Sequence, residues 1–212
     1  MTAAAPPSAV TQALAALGVR RLVVGIHDPA FPGLPGHDVG RGSPYSRGAE
    51  RFLRFVRGLG FDGVQLGPQG QTSEVNSSPY DGTIFARNIL SIDLHQLTES
   101  SGRAALLQEE SLAALASSRP ANWPRDRVPY RHAFAAQRKA LALAFAAFAS
   151  SRDRDVADRL ARFQERHEPW LDRDAGYYAI LGMEDRMNRR THFGTGLEKQ
   201  LKPLIVEALS HE

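Results

Sequence analysis

The residues best suited to bind a ligand or take part in a reaction lie in a long polar loop between two short apolar segments. Residues 64–66 read as a strand, residues 92–94 end the loop, and residues 78–81 form a Ser-Pro-Tyr-Asp turn inside it. Proline fixes its own backbone angle, so Tyr80 projects in a set direction, and a tyrosine ring can stack on a sugar face. Its hydroxyl can also hydrogen-bond a sugar oxygen or a carboxylate. The alternative is a plain surface turn in which Tyr80 covers apolar neighbours.

Two carboxylates form a second candidate for chemistry. Retaining cleavage of a glycosidic bond uses two carboxyl groups about 5–5.5 Å apart. Asp28 and Asp81 stand in loops at the same end of the predicted strands. An aspartate beside proline or glycine is more often a turn residue that hydrogen-bonds its own backbone. We therefore favour the turn role for both residues.

Neither histidine nor tryptophan positions indicate a metal or cofactor site. His27-Asp28 and His37-Asp38 are adjacent pairs whose side chains point in different directions, and no helical His-x-x-x-His pair supports them. Trp123 and Trp170 could stack on sugars, but tryptophan on an apolar helical face is usually a core residue. Structural or solvated roles are expected for the histidine-aspartate pairs and a core role for the tryptophans, and no metal or organic cofactor is implied.

The first hundred residues read as a βαβ unit with long loops. Residues 9–17 predict an alanine-rich helix, with Ser8 as its N-cap and Gly18 as its stop. Residues 22–26 are apolar and too short for a helix, which predicts a buried parallel strand. A helix from Ser46 to about Leu59 then leads to the second strand. Sites in such units lie beyond the carboxyl ends of the strands, where both long loops, 28–45 and 67–88, fall.

The second half is helical by every local pattern. Proline at residue 169 predicts a helix boundary, and residues 120–124 predict a turn or linker. Helices are predicted over residues 104–117, 130–149, 156–167, 174–187 and 197–209. The predicted organisation is therefore an α/β region over residues 1–100 and a helical subdomain over residues 101–212.

Composition excludes several classes of protein. The chain has 212 residues, is 42% hydrophobic and has no cysteine, so disulfides and thiolate metal sites are absent. No apolar run approaches the roughly 20 residues of a membrane span, and residues 1–8 do not resemble a secretory signal. We expect a cytoplasmic protein without membrane partners. The net charge of +3 comes from arginines interleaved with acidic residues, so no nucleic-acid surface is expected.

The loop motifs resemble those of amylomaltase-type 4-α-glucanotransferases. That family carries a similar strand, a Gly-Pro-x-Gly loop like residues 67–70, a Ser-Pro-Tyr turn like residues 78–80, and a later asparagine like Asn88. Residues 22–33 are similar to its first barrel strand and loop, and residues 127–181 to its helical insertion. The sequence departs from the family pattern at Gln71, where an aromatic residue is common.

The resemblance implies a fold and a chemistry. The fold would be the opening βαβ part of a TIM (β/α)8-type barrel, incomplete in this chain because a complete barrel needs about 250 residues. The chemistry would be transfer of α-1,4-glucan segments by retaining double displacement. Tyr80 would lie in the glucose site, with Ser78, Asp81 and Asn88 as further substrate-binding residues that support its loop. The family's catalytic carboxylates come from later strands, so no catalytic residue is assigned here and the isolated chain is expected to be inactive.

The expected partners follow from the same resemblance. They are an α-1,4-glucan or maltooligosaccharide, together with the remaining barrel segment or a partner chain that covers the incomplete sheet. The alternative is a non-catalytic module that binds α-glucan or another protein through the loop of the family.

Overall fold

The chain folds as a mixed α/β protein. The computed structural model describes residues 9–80, 82, 85–98, 105–124, 126–151 and 153–190. These described residues form five α-helices, one two-stranded parallel sheet and three short 3-10 segments. The helices and strands are α1 Ala9–Ala16, β1 Val23–Ile26, α2 Arg47–Gly58, β2 Gly63–Leu66, α3 Glu109–Ser117, α4 Tyr130–Ser150 and α5 Arg154–Arg190. Two compact units divide the chain, Met1–Asp153 and Arg154–Glu212.

The predicted βαβ unit is confirmed in its order and strand direction. β1 and β2 pair in parallel, with Val23 opposite Gly63 and Ile26 opposite Leu66. α2 connects them and starts as predicted at Ser46, whose hydroxyl accepts the Ala49 N–H at 3.2 Å. This capping bond satisfies one of the backbone donors that a helix start leaves unpaired. Both strands therefore end at the start of the two long loops.

The prediction that the first strand is buried is wrong. Val23 is about half exposed, and along β1 exposed and half-buried residues alternate. The apolar residues of α2 are only partly covered, because Val56 is buried whereas Phe55 is 62% exposed. Periodicity reports which faces are apolar, but burial also requires elements on both faces of a sheet. Within the described residues, β1 pairs only with β2.

The hydrophobic core of the first unit lies away from the sheet. It forms where two 3-10 segments, Ile89–Ser91 and Leu94–Leu97, pack against α3 and α4. The small buried residues of α4 allow close approach, and its Gln137 donates to the carbonyls of Ile89 and Ile92 at 2.8 and 3.0 Å. The core residues are Val39, Leu90, Leu94, Leu107, Leu112, Leu115, Ala133, Phe134, Ala136 and Ala140. The compact unit thus extends through α4 to Asp153, whereas the predicted change from barrel-like to helical organisation at residue 100 stays a prediction.

The helical half differs from the sequence prediction in two places. Pro169 lies inside α5, which runs unbroken from Arg154 to Arg190, so the predicted boundary at this proline is wrong. A proline removes one backbone hydrogen bond, and strong helix formers on both sides continue the helix. α3 begins at Glu109, later than predicted, while α4 matches its predicted bounds to within one residue. Ser8 and the predicted helix over residues 197–209 lie outside the described residues.

Candidate functional site

The loop after β2 is closed by backbone contacts between its two ends. The Asn88 N–H donates to the Gln69 carbonyl at 2.9 Å, and Gly70 forms an antiparallel bridge with Arg87. Asn88 is only 6% exposed, and its side chain donates to the Thr72 hydroxyl at 3.1 Å and accepts the Leu90 N–H at 3.0 Å. These contacts use both ends of the amide. Asn88 is therefore placed to hold the loop closed.

The Ser-Pro-Tyr turn projects from this closed loop. The Tyr80 N–H donates to the Ser78 hydroxyl at 3.4 Å, and the Ser78 N–H donates to the Asn76 side chain at 2.9 Å. Tyr80 is 77% exposed, so its ring does not cover apolar neighbours as the alternative interpretation required. A Cβ on Gly70 would overlap the carbonyl oxygen of Pro79, which explains why the loop has glycine there. Asp81 lies outside the described residues.

Tyr130 fastens the same loop to α4. Its hydroxyl donates to the Ser73 carbonyl at 2.6 Å and approaches the Asn76 carbonyl at 3.4 Å. Burial raises the pKa of Tyr130, because the phenolate would lose its hydration. The hydroxyl therefore stays a neutral donor, and the loop that carries Tyr80 is attached to the core at its base.

Asp28 occupies a buried position beneath both loops. It is 3% exposed, and its carboxylate accepts from the Gln69 amide at 3.0 Å and the Ser91 hydroxyl at 2.9 Å. The predicted turn role, in which the side chain bonds its own backbone, is therefore wrong for Asp28. Burial lowers the pKa of the neighbouring Arg41, and the negative charge of Asp28 opposes that shift. Arg41 also donates to the Leu90 carbonyl at 2.8 Å, so the two buried charges join the first loop to the core.

Asp38 does play the turn role. Its carboxylate accepts the Gly40 N–H at 2.8 Å and the Leu34 N–H at 3.0 Å. Burial raises the pKa of Asp38, and these N–H donors partly oppose the shift. His37 stacks on His95 with ring centroids 3.9 Å apart. No group of three potential metal-binding side chains occurs in the part of the chain that the structure describes.

The two tryptophans occupy different surroundings. Trp123 is exposed, with its indole N–H donating to the Arg127 carbonyl at 3.1 Å, so its predicted core role is wrong. The short turn over residues 120–124 has no apolar face on which to bury it. Trp170 is partly buried and lies edge-on to His167.

Tyr45 was missed by the sequence interpretation, although a signal was present. Residues 43–45 repeat the Ser-Pro-Tyr triplet of residues 78–80, and the Tyr45 N–H donates to the Ser43 hydroxyl at 3.2 Å. Both triplets thus form the same local serine-to-tyrosine bond. The Tyr45 hydroxyl donates to the Gln69 side chain at 2.8 Å, and Gln69 in turn donates to Asp28. Gln69 therefore links the exposed ring of Tyr45 to the buried carboxylate.

Comparison with known proteins shows to which family the chain belongs. A family model described as 4-α-glucanotransferase, glycoside hydrolase family 77, matches residues 31–207. The chain belongs to this family. A 4-α-glucanotransferase from Thermus thermophilus is 30% identical over 158 residues, which are 74% of this chain and 28% of that relative. The chain therefore spans less than a third of the relative's length. None of the described helices of this family member is long and apolar enough to cross a membrane.

Proposed function

We propose that this chain contributes an α-glucan contact surface, centred on Tyr80, to 4-α-glucanotransferase chemistry. In that chemistry a glucan segment moves from one α-1,4-glucan to another by retaining double displacement. The observation that carries the proposal is the exposed ring of Tyr80 on a loop whose base is held by hydrogen bonds. A loop that is held in place before binding loses less entropy when a sugar stacks on the aromatic side chain that it carries.

The roles of the other loop residues follow from their contacts. Ser78 would set the direction of Tyr80 through the backbone bond between them, and Asn88 would keep the loop closed from its buried position. Asp81 remains assigned to the sugar site through its place in the Ser-Pro-Tyr-Asp turn. Tyr80 is thus the proposed direct contact, and the others support or flank it.

We propose further that these 212 residues do not carry the catalytic carboxylates. Asp28 has the right residue type, but its oxygens are engaged by Gln69 and Ser91 in a buried site. A nucleophile or acid/base must reach the glycosidic bond, and the fixed partners of Asp28 argue against such a role. The isolated chain is therefore expected to bind glucan without transferring it.

The α/β part fits the opening βαβ section of a (β/α)8 barrel. We assign residues 1–100 to that section and residues 101–212 to a helical subdomain. The parallel pairing of β1 and β2 supports this assignment. So do four exposed apolar residues of the strands and of α2 and its end, which are Val23, Phe55, Leu59 and Leu66. Further barrel strands, or a partner chain, would cover these residues and the sheet edge.

Maltotriose distinguishes transfer from binding. The purified 212-residue chain is incubated with maltotriose, and longer and shorter maltooligosaccharides are separated and quantified. We expect no new products, together with saturable maltoheptaose binding. Disproportionation would refute the assignment of the catalytic carboxylates to other segments. Binding without transfer is also the result expected for the alternative, a non-catalytic glucan-binding module.

A matched pair of variants tests the role of Tyr80. Tyr80→Ala should weaken maltoheptaose binding by about tenfold, because an aromatic contact contributes about 0.5–1.5 kcal/mol beyond its buried area. Val75→Ala changes another exposed side chain of the same loop and should leave binding unchanged. Equal affinities of wild type and Tyr80→Ala for maltoheptaose would show that Tyr80 does not contact the glucan.

A further inference from the structure

A groove with a mixed polar and apolar lining lies beside the first Ser-Pro-Tyr triplet and is separate from the Tyr80 turn. It has a volume of about 600 Å³, within the roughly 300–1,000 Å³ typical of small-molecule sites. One wall is formed by α2, and the other includes Gln96 of the 3-10 segment Leu94–Leu97 and Asp93, which caps that segment. Tyr45 and Pro44 also line the groove, and no lining residue belongs to the turn at residues 78–80.

Tyr45 offers a fixed aromatic surface to this groove. Tyr45 is 54% exposed, while its hydroxyl is bonded to Gln69 and its backbone carbonyl accepts from Gln96 at 3.3 Å. Gln69 is itself oriented by the buried carboxylate of Asp28. The chain from Asp28 through Gln69 to Tyr45 thus holds an exposed ring by contacts that reach into the interior. Such a ring is suited to stack on a flat, partly apolar ligand.

The groove lining contains hydrogen-bonding groups of both kinds and charges of both signs. Arg54 pairs with Glu50 at 2.6 Å, Arg57 lies one turn further along α2, and Asp93 lies on the other wall. Guanidinium and amide N–H groups donate, whereas carboxylates and amide oxygens accept. This mixture favours a neutral ligand with many hydroxyl groups over a simple anion, because a sugar hydroxyl both donates and accepts.

We infer that the groove is a second carbohydrate site, in which a sugar ring stacks on Tyr45 and its hydroxyl groups bond the polar side chains of α2. Its ligand is an α-1,4-linked maltooligosaccharide. The choice of an α-glucan rests on the proposed function, whereas the location and the polyhydroxylated class of ligand rest on the groove itself. A glucan chain held here would be bound by the protein at a point other than Tyr80, which raises its effective concentration at the Tyr80 surface.

Fluorine NMR on the full chain separates the two sites. The chain contains five tyrosines, so labelling with 3-fluorotyrosine gives a small set of resonances, which Tyr45→Phe and Tyr80→Phe assign. Maltoheptaose is titrated into the labelled protein, with inorganic phosphate titrated separately as the anion probe. We expect the Tyr45 resonance to move saturably with maltoheptaose, and to do so also in Tyr80→Ala.

Substitutions on α2 provide a test that does not alter Tyr45. Arg57→Ala removes a donor from the groove and should raise the dissociation constant read at Tyr45 about three- to tenfold, as expected for one hydrogen bond. Arg51→Ala makes the same change at an exposed position of α2 outside the groove and should leave that constant unchanged. Equal effects of the two substitutions would overturn the assignment of the groove.

The two proposals fail in different ways. If the Tyr80 resonance moves with maltoheptaose and the Tyr45 resonance does not, the second site is refuted and the proposed function stands. If only Tyr45 responds, the second site stands and the role of Tyr80 is refuted. A Tyr45 response to phosphate without one to maltoheptaose would overturn the carbohydrate assignment, and no response at either tyrosine would refute both.

Discussion

Replacing Asp28 by asparagine tests whether this carboxylate is a structural centre of the first unit. The substitution keeps the shape of the side chain but removes its charge and one acceptor oxygen. Asp28 accepts from Gln69 at 3.0 Å and from Ser91 at 2.9 Å, and it lies near the buried Arg41. Hydrogen bonds to a charged group contribute about 1.5–3 kcal/mol each. Both donors bond the same carboxylate oxygen, Oδ2, so asparagine can keep these bonds only as weaker ones to a neutral amide, about 0.5–1.5 kcal/mol each. The free energy of unfolding should therefore fall by about 2–4 kcal/mol once the lost charge beside Arg41 is included.

Urea unfolding measures this loss. Trp123 lies in the first compact unit and Trp170 in the second, so Trp123 fluorescence in a Trp170→Phe background reports the unit that contains Asp28. With a urea dependence of about 1–3 kcal/mol per molar, the midpoint should fall by about 1–2 M. Asp62→Asn makes the same chemical change at an exposed position and should alter stability by less than about 0.5 kcal/mol.

Two results would refute the reasoning about Asp28. An Asp28→Asn midpoint equal to that of Asp62→Asn would show that the buried contacts do not stabilise the unit. If wild-type protein disproportionates maltotriose and Asp28→Asn abolishes this with unchanged stability, Asp28 acts in the chemistry. The catalytic interpretation would then replace the structural one.

Three further predictions concern the loops and α4. Gly70→Ala should destabilise the first unit by about 1–3 kcal/mol in urea, because its Cβ would overlap the backbone of the Ser-Pro-Tyr turn. Gly58→Ala, in open space near the end of α2, should instead stabilise by about 0.5–1 kcal/mol, and the same sign for both would contradict the overlap argument. Tyr130→Phe should cost about 1 kcal/mol of stability and increase amide exchange at residues 73–80, since the hydroxyl bond to the loop is lost; unchanged exchange would show that this bond does not hold the loop. Burial, followed by the positive charge of Arg119, lowers the pKa of His132, so its contribution to stability is present above about pH 6.5 and is lost as the pH falls through the lowered pKa. Melting temperatures across this range should fall less steeply for His132→Gln, and parallel curves would exclude the histidine as the cause.

Local sequence patterns were sufficient for the order and type of most described elements. The short apolar runs predicted both strands and their parallel pairing, and Ser46 marked the start of α2 because its hydroxyl can cap a helix locally. α4 was predicted almost to the residue from its alanine-rich composition. These features depend on neighbours within a few residues, so the sequence contains their cause.

Pro169 and the first strand show where local patterns mislead. The proline removes one hydrogen bond, but the helix-forming residues on both sides of it continue α5. The apolar run of β1 indicated a buried strand, yet burial depends on which other elements cover the sheet. Neither outcome follows from residues close in sequence.

The candidate site divides in the same way. The sequence by itself determined the Ser-Pro-Tyr turn and, through the loop motifs, the family to which the chain belongs. Only the tertiary structure decided that Tyr80 is exposed, that Asn88 is buried and that Tyr130 is bonded to a loop 57 positions earlier in the chain. It also decided that Asp28 binds Gln69 and Ser91 instead of its own backbone. A carboxylate takes whichever donors the fold brings within about 3 Å, and for Asp28 those donors are 41 and 63 residues away.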